Sequence, residues 1–186
     1  MLSGERNNLV DEFGSFEAVE DFSIFDGFSC SNADLDDFIL NDAAVQQSKL
    51  LSVTYLYKIR IDGTFSPPVA FVSLANDSLK IKHDDLKARH NLLGISYQEF
   101  PAVKVCRLGV SVDFQRLGIG SQVINIIKSL FLRCNRTGCR FVTVDAYNEE
   151  GTLSFYRGND FQLFHDKDVN KPTRSMYYDL IRFKTP

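Results

Sequence analysis

Residues 108–121 read Leu-Gly-Val-Ser-Val-Asp-Phe-Gln-Arg-Leu-Gly-Ile-Gly-Ser, a strand that runs straight into a glycine-bearing turn. The strand, Ala102–Val112, carries bulk on both faces, as a central strand does. Beyond the turn, Gln122–Cys134 sets Val123, Ile126, Ile127, Leu130 and Phe131 at helical spacing. Gly118 and Gly120 therefore stand at a helix start, where the first-turn amides have no partner inside the helix. Glycine lets an anion approach that backbone closely, and the helix dipole favours negative charge there. A glycine inside a helix costs roughly 1 kcal/mol, and a pyrophosphate site gives both glycines a reason to be present. A dinucleotide fold would add a third glycine and an acid further on. A P-loop would need GKS or GKT. The sequence has neither.

Working outward from this turn, Gly138 ends the helix, Arg140–Ala146 reads as the next strand and Glu149–Tyr156 as a short helix. Phe161–Phe164 and Met176–Phe183 read as two closing strands. Upstream, Leu51–Ile61 alternates and is rich in β-formers. Asp62-Gly63 and Pro67-Pro68 read as a turn, with Val69–Leu74 returning. Before these, Leu35, Phe38 and Ile39 share a helix face that Ser31 or Asn32 caps. Residues 76–99 mix charges and read as a short helix and loop. The order is α/β with a mixed central sheet flanked by helices. Residues 1–21, with Phe13 and Phe16, form an N-terminal extension or edge strand, and residues 22–186 one domain.

The 186 residues carry a net charge of −3, unevenly spread. Residues 1–47 hold eleven Asp/Glu and one base, Arg6; residues 48–186 hold twenty Lys/Arg and thirteen Asp/Glu, a balance of +7. Such a body can attract a phosphate-bearing ligand, or the acidic third can simply balance the rest in the fold. No apolar run is long enough for a bilayer, and MLSGERNNLVDEFG lacks the apolar stretch of a secretory signal. A cytoplasmic protein with no membrane contact is expected. Cys30, Cys106, Cys134 and Cys139 lack CxxC spacing and read as reduced, buried small residues. His83 and His90 lie seven apart with no further ligand pattern, so no metal is expected.

Three segments, in order, resemble the GNAT N-acetyltransferases. Gln115-Arg-Leu-Gly118-Ile-Gly120 fits that family's Q/R-x-x-G-x-G/A signature, after a matching strand and before a matching helix. Leu153-Ser-Phe155-Tyr156-Arg-Gly-Asn-Asp-Phe161 is similar to its FYxxxGF segment. Phe28-Ser-Cys30 with Leu35-Asp-Asp-Phe38-Ile is similar to the FxCG…LDxFL opening of the bacterial toxin-like branch. The resemblance spans residues 22–183 and implies a GNAT-type acyl-CoA N-acyltransferase fold with acetyl-CoA as co-substrate.

By that resemblance, backbone amides near Leu108 and Val110 hold the pantetheine and polarise the thioester carbonyl. Gln115, Arg116, Gly118, Gly120 and Ser121 cradle the pyrophosphate, and Tyr156 protonates the departing thiolate. On periodicity alone Tyr156 reads rather as a core aromatic beside Phe155, and only the glycine turn upstream favours a catalytic role; Arg116 can equally be a solvated charge. Some positions depart from the pattern: Arg116 stands one place before the expected arginine, now Leu117. Glu149, beside Asn148, replaces an asparagine; Asp160 and Ser31 replace glycines. Asp145 and Glu149 are candidates for a general base by location, or else an N-cap and a first-turn acid.

The resemblance implies an amine acceptor. A primary amine on a small molecule or protein suits the acidic residues of 20–42. The alternative is toxin-like acetylation of the amino group of aminoacyl-tRNA, under control of an antitoxin. A second alternative is a non-catalytic acyl-CoA-binding module. Relatives pair through their late strands, so Met176–Ile181 is either a homodimer edge or an inner strand.

Overall fold

The main strands and helices follow the expected order with shifted ends, and two short strands, Leu9–Val10 and Thr64–Phe65, and a second early helix, Ala43–Ser48, are added to it. The computed structural model describes residues 9–10, 14–133 and 137–183; Arg6, Phe13 and Cys134 lie outside the described residues. The elements are β1 (Leu9–Val10), β2 (Gly14–Ala18), α1 (Ala33–Asp37), α2 (Ala43–Ser48), β3 (Val53–Ile61), β4 (Thr64–Phe65) and β5 (Ala70–Lys80). They continue with α3 (Asp84–Arg89), β6 (Glu99–Val110), α4 (Ile119–Arg133), β7 (Phe141–Tyr147), α5 (Glu150–Gly158), β8 (Gln162–Leu163) and β9 (Thr173–Asp179). One turn of π-helix, Phe38–Asp42, joins α1 to α2. Two compact units emerge, one running to Ala75 with Cys106–Ile127, the other comprising Asn76–Val105 and the chain from Lys128.

In the first unit β1, β2, β3 and β5 pair antiparallel in that order. The β3–β4 hairpin turns on Asp62 and Gly63, both at positive φ (48° and 82°), as a two-residue hairpin of the I′ kind requires. Asn32 caps α1 by accepting the Leu35 N–H. The core here is aromatic: Phe25, Phe28 and Phe38 surround the fully buried Phe71 at ring separations of 6.0, 5.6 and 6.2 Å. Gly109 on β6 faces that ring so closely that a Cβ there would overlap Phe71 Cε1. Gly109→Ala is therefore expected to cost about 1–3 kcal/mol through overpacking. A thermal melt checks it, and an unchanged midpoint would mean that the Phe71 ring yields without strain.

In the second unit β6 runs parallel to β7, β7 antiparallel to β9, and β9 antiparallel to β8. The sheet is thus mixed, with Phe100, Phe141, Tyr177 and Ile81 in its core. Several ends differ from the sequence reading. β5 continues past Leu74 to Lys80, and within this extension the Asp77 carboxylate accepts from the hydroxyl of Thr143 on β7. The last strand is Thr173–Asp179, and Leu180–Arg182 is a 3-10 turn whose start Asp179 caps. β8 pairs with Met176 and Tyr177, so that stretch of β9 is inner, not a free edge. Among the described residues, no helix is long and apolar enough to cross a membrane.

Candidate cofactor site and general acid

The glycine turn belongs to the first unit and is held from both sides. The Ser111 N–H donates to Val69 (2.8 Å) and the Val112 N–H to Ser29 (2.9 Å). The Gln115 side-chain amide donates to the carbonyls of Cys30 (2.8 Å) and Val110 (3.1 Å). That amide is committed to the protein, which leaves only the backbone of Gln115 to face a ligand. Arg116 and Gly118 both lie in the left-handed region, at φ 61° and 81°. A Cβ at Gly118 would meet nothing within 4 Å, so backbone conformation, not space, selects glycine there. α4 then begins at Ile119, and the first bond it closes is Gln122 N–H to the Gly118 carbonyl. The amides of Gly118, Ile119 and Gly120 precede that first bond and lack acceptors within the helix. The Arg116 side chain is exposed, Gly120 and Ser121 half-buried.

A clamp absent from the sequence reading supports this turn. Asp36 on α1 accepts from the Ser29 hydroxyl and the Cys30 N–H, both at 2.7 Å. These two residues supply the carbonyls that anchor Val112 and Gln115. Asp36 stands in the Leu35-Asp-Asp-Phe38 segment, so the signal was present but its purpose was not. The Cys30 thiol is buried, and desolvation with the nearby Asp36 pushes its pKa up to about 11, so it is inert. Ser31, where the family pattern has glycine, sits at φ 60°.

Leu108 and Val110 occupy the end of β6. The register of β6 with β7 closes at Val105–Val144, which leaves residues 106–110 beyond the last registered pair. β7 itself continues to Tyr147, paired with β9.

Tyr156 belongs to the second unit, on α5, and is buried. Its ring packs edge-on against Phe155 at 5.0 Å and Phe161 at 5.3 Å. Burial pushes its phenol above the usual range. Among the described residues its hydroxyl has no hydrogen-bond partner. Asp145 is neither an N-cap nor a free base: it bonds Lys104 and Ser175. Burial pushes its carboxyl up, but those bonds and the Lys104 charge hold it below its ordinary value. Glu149 is the N-cap residue of α5 without a side-chain cap, and Glu150 is the first-turn acid. Asn148 donates to the Val169 and Lys171 carbonyls and is spent on the loop before β9.

His90 is the C-cap of α3 and has both ring nitrogens engaged, Nδ1 with Asp179 (2.8 Å) and Nε2 with the Tyr177 hydroxyl (3.1 Å). Among the described residues, no group of three or more His, Cys, Asp or Glu is placed to hold a metal.

No protein-family model matches the chain, and no curated protein does. Solved structures do match. A tyrosine-to-phenylalanine mutant of KacT superposes with TM-score 0.70 at 16% identity, over 91% of this chain and 96% of that one. AtaTR bound with AcCoA gives 0.69 at 15% identity, over 92% and 96%. AtaT complexed with acetyl-methionyl-tRNAfMet gives 0.66 at 16% identity, over 89% and 94%. The chain has the GNAT fold. At these identities the likeness speaks for architecture, and the chemistry rests on the residues themselves.

Proposed function

We propose that the protein is an acetyl-CoA-dependent N-acetyltransferase whose acceptor is the amino group of an aminoacyl-tRNA. The observation that carries the first half is the turn 115–120, with its left-handed Arg116 and Gly118 and the helix-start amides of Gly118, Ile119 and Gly120, which lack acceptors within the helix. Those amides and Arg116 bind the pyrophosphate of acetyl-CoA, with Ser121 beside them. The backbone of Leu108 and Val110 hydrogen-bonds the pantetheine and polarises the thioester carbonyl.

The neutral amine attacks the thioester carbonyl carbon directly, forming the C–N bond. The C–S bond then breaks, and the thiolate takes the proton of the Tyr156 hydroxyl. The new amide nitrogen releases its extra proton to water, and Tyr156 regains one from solvent. Burial keeps the phenol protonated at neutral pH, as an acid must be before it gives up its proton. No dedicated base is needed. Asp145, with its lowered pKa and its Lys104 partner, is poorly suited to be one.

Solved structures of similar fold support the choice of acceptor. AtaT is seen with acetyl-methionyl-tRNAfMet, and its mutant toxin with the C-terminus of the antitoxin AtaR. Carried to this chain, they support a charged tRNA as acceptor and an antitoxin as partner, in the cytoplasm. The +7 balance of residues 48–186 suits tRNA phosphates. The exposed Asp26, Asp34, Asp37 and Asp42 favour a second reading, a small cationic or protein amine.

Gly118→Val tests the cofactor half. A β-branched residue at φ 81° costs about 1–2 kcal/mol, so the Kd for acetyl-CoA should rise about tenfold by calorimetry. Unchanged affinity would remove the turn from the binding site.

A further inference from the structure

Lys128 lies on the buried face of α4, only 2% exposed. Its Nζ donates to the Asn159 carbonyl at 2.8 Å. It also stands 3.9 Å from the centre of the Tyr178 ring, with the Phe161 and Phe183 rings at 5.7 and 5.8 Å. A buried ammonium is costly unless it is paired. Among the described residues no carboxylate bonds it, and Asp160 acts only through space. Desolvation draws its pKa down to about 8 against the pull of Asp160. Aromatic faces offset part of the cost, as cation–π contacts do.

What this cation touches is the end of the helix that carries Tyr156. α5 closes in a Schellman motif with Asn159 as its C-cap. The Asp160 N–H donates to Arg157 (2.9 Å) and the Phe161 N–H to the Tyr156 carbonyl (3.0 Å). The hydrophobic contact that goes with such a motif is the Phe161 ring on the Tyr156 ring, 5.3 Å apart. Asp160 takes the left-handed position at φ 64°, the one where the family pattern has glycine. An aspartate there pays a conformational cost and puts a negative charge at the negative end of a helix. A cation buried on the C-cap carbonyl offsets the second cost and closes the motif from outside. Lys128 and Asp160 thus make sense as a pair.

We propose that Lys128 is a positioning residue for acetyl transfer, fixing the Tyr156 ring through the α5 C-cap and Phe161. This rests on Tyr156 being the acid. The test compares Lys128→Met, which keeps bulk without charge, and Lys128→Arg, which keeps the cation. For the Met variant, kcat falls by about tenfold or more, since small misplacements of a reacting group are costly. Its KM for acetyl-CoA stays within about twofold, because the cofactor turn is not disturbed. The Arg variant stays close to wild type. Hydrogen exchange of the folded protein should lose protection at Asp160 and Phe161 in the Met variant while β7 keeps it. Unchanged kcat with intact protection at Phe161 would overturn the proposal. So would protection lost equally in β7, which marks general packing, or an Arg variant as slow as the Met variant. The reading of Tyr156 fails separately, if Tyr156→Phe transfers acetyl at the wild-type rate; exchange at Phe161 then still reports whether Lys128 holds the cap.

Discussion

Tyr156→Phe is expected to slow acetyl transfer by about 10²–10⁴-fold, the usual contribution of a positioned general acid. The substitution deletes one oxygen and little else. The ring keeps its contacts with Phe155 and Phe161, and no hydrogen bond among the described residues depends on the hydroxyl. The melting midpoint should therefore hold, and acetyl-CoA affinity should stay within about twofold, since the loss belongs to the transition state. Rate, affinity and melting must be measured on one preparation. A rate within about threefold of wild type would mean that the thiolate leaves without this proton. A collapsed melting midpoint would instead assign Tyr156 to the core.

The second large effect concerns stability. Asp179 is 3% exposed at its side chain and, besides the Ile181 N–H that it caps, faces three side-chain nitrogens. Arg140 Nε reaches Oδ1 at 2.7 Å, Arg140 Nη2 reaches Oδ2 at 2.9 Å, and His90 Nδ1 lies 2.8 Å from Oδ2. Arg140 Nη2 also donates to the His90 carbonyl, so β9, the start of β7 and the end of α3 meet here. Asp179→Ala strands a largely buried guanidinium and an imidazole nitrogen. Breaking a buried pair from one side costs about 3–5 kcal/mol. For a chain of this size, this is roughly 6–20 °C in melting midpoint. A shift under about 3 °C would show that the network is not formed in solution.

Acid should act through the same group. Burial pushes the Asp179 carboxyl up, but the bonds from Arg140 and His90 outweigh it and hold it below the ordinary range. A depressed folded value means its stabilisation is full above the unfolded pKa of about 3.9. It is lost as pH falls through the lower folded value. The wild-type urea midpoint should thus fall below about pH 4, and the Asp179→Ala midpoint less steeply.

Much of this was legible in the sequence, and the misses share a cause. The glycine turn was readable because its requirement is local: a positive φ and a helix start lie within a few residues. The departures from the family pattern were informative for the same reason. Ser31 and Asp160, read as substitutes for glycine, both occupy left-handed conformations. Where partners lie far along the chain, pattern gave the wrong environment. His90 shared a reading with His83, yet its partners are Tyr177 and Asp179. Asp145 read as a base or a cap, but Lys104 and Ser175 claim it. Lys128 carries no signal of its own, because nothing nearby in sequence reveals a cage built from Asn159, Phe161, Tyr178 and Phe183. Residues 76–78 belong to the stretch that read as helix and loop, and the partner of the Asp77 carboxylate is Thr143 on another strand.

The most direct test follows radiolabelled acetyl from acetyl-CoA into parallel acceptor pools: a mixed charged tRNA, a polyamine panel and a peptide panel. The expected result is label in the charged-tRNA fraction, absent with uncharged tRNA and lost with Tyr156→Phe. Label confined to polyamines or peptides would keep the acetyltransferase and replace its acceptor. No label in any pool, while acetyl-CoA still binds, would contradict catalysis and leave an acyl-CoA-binding module.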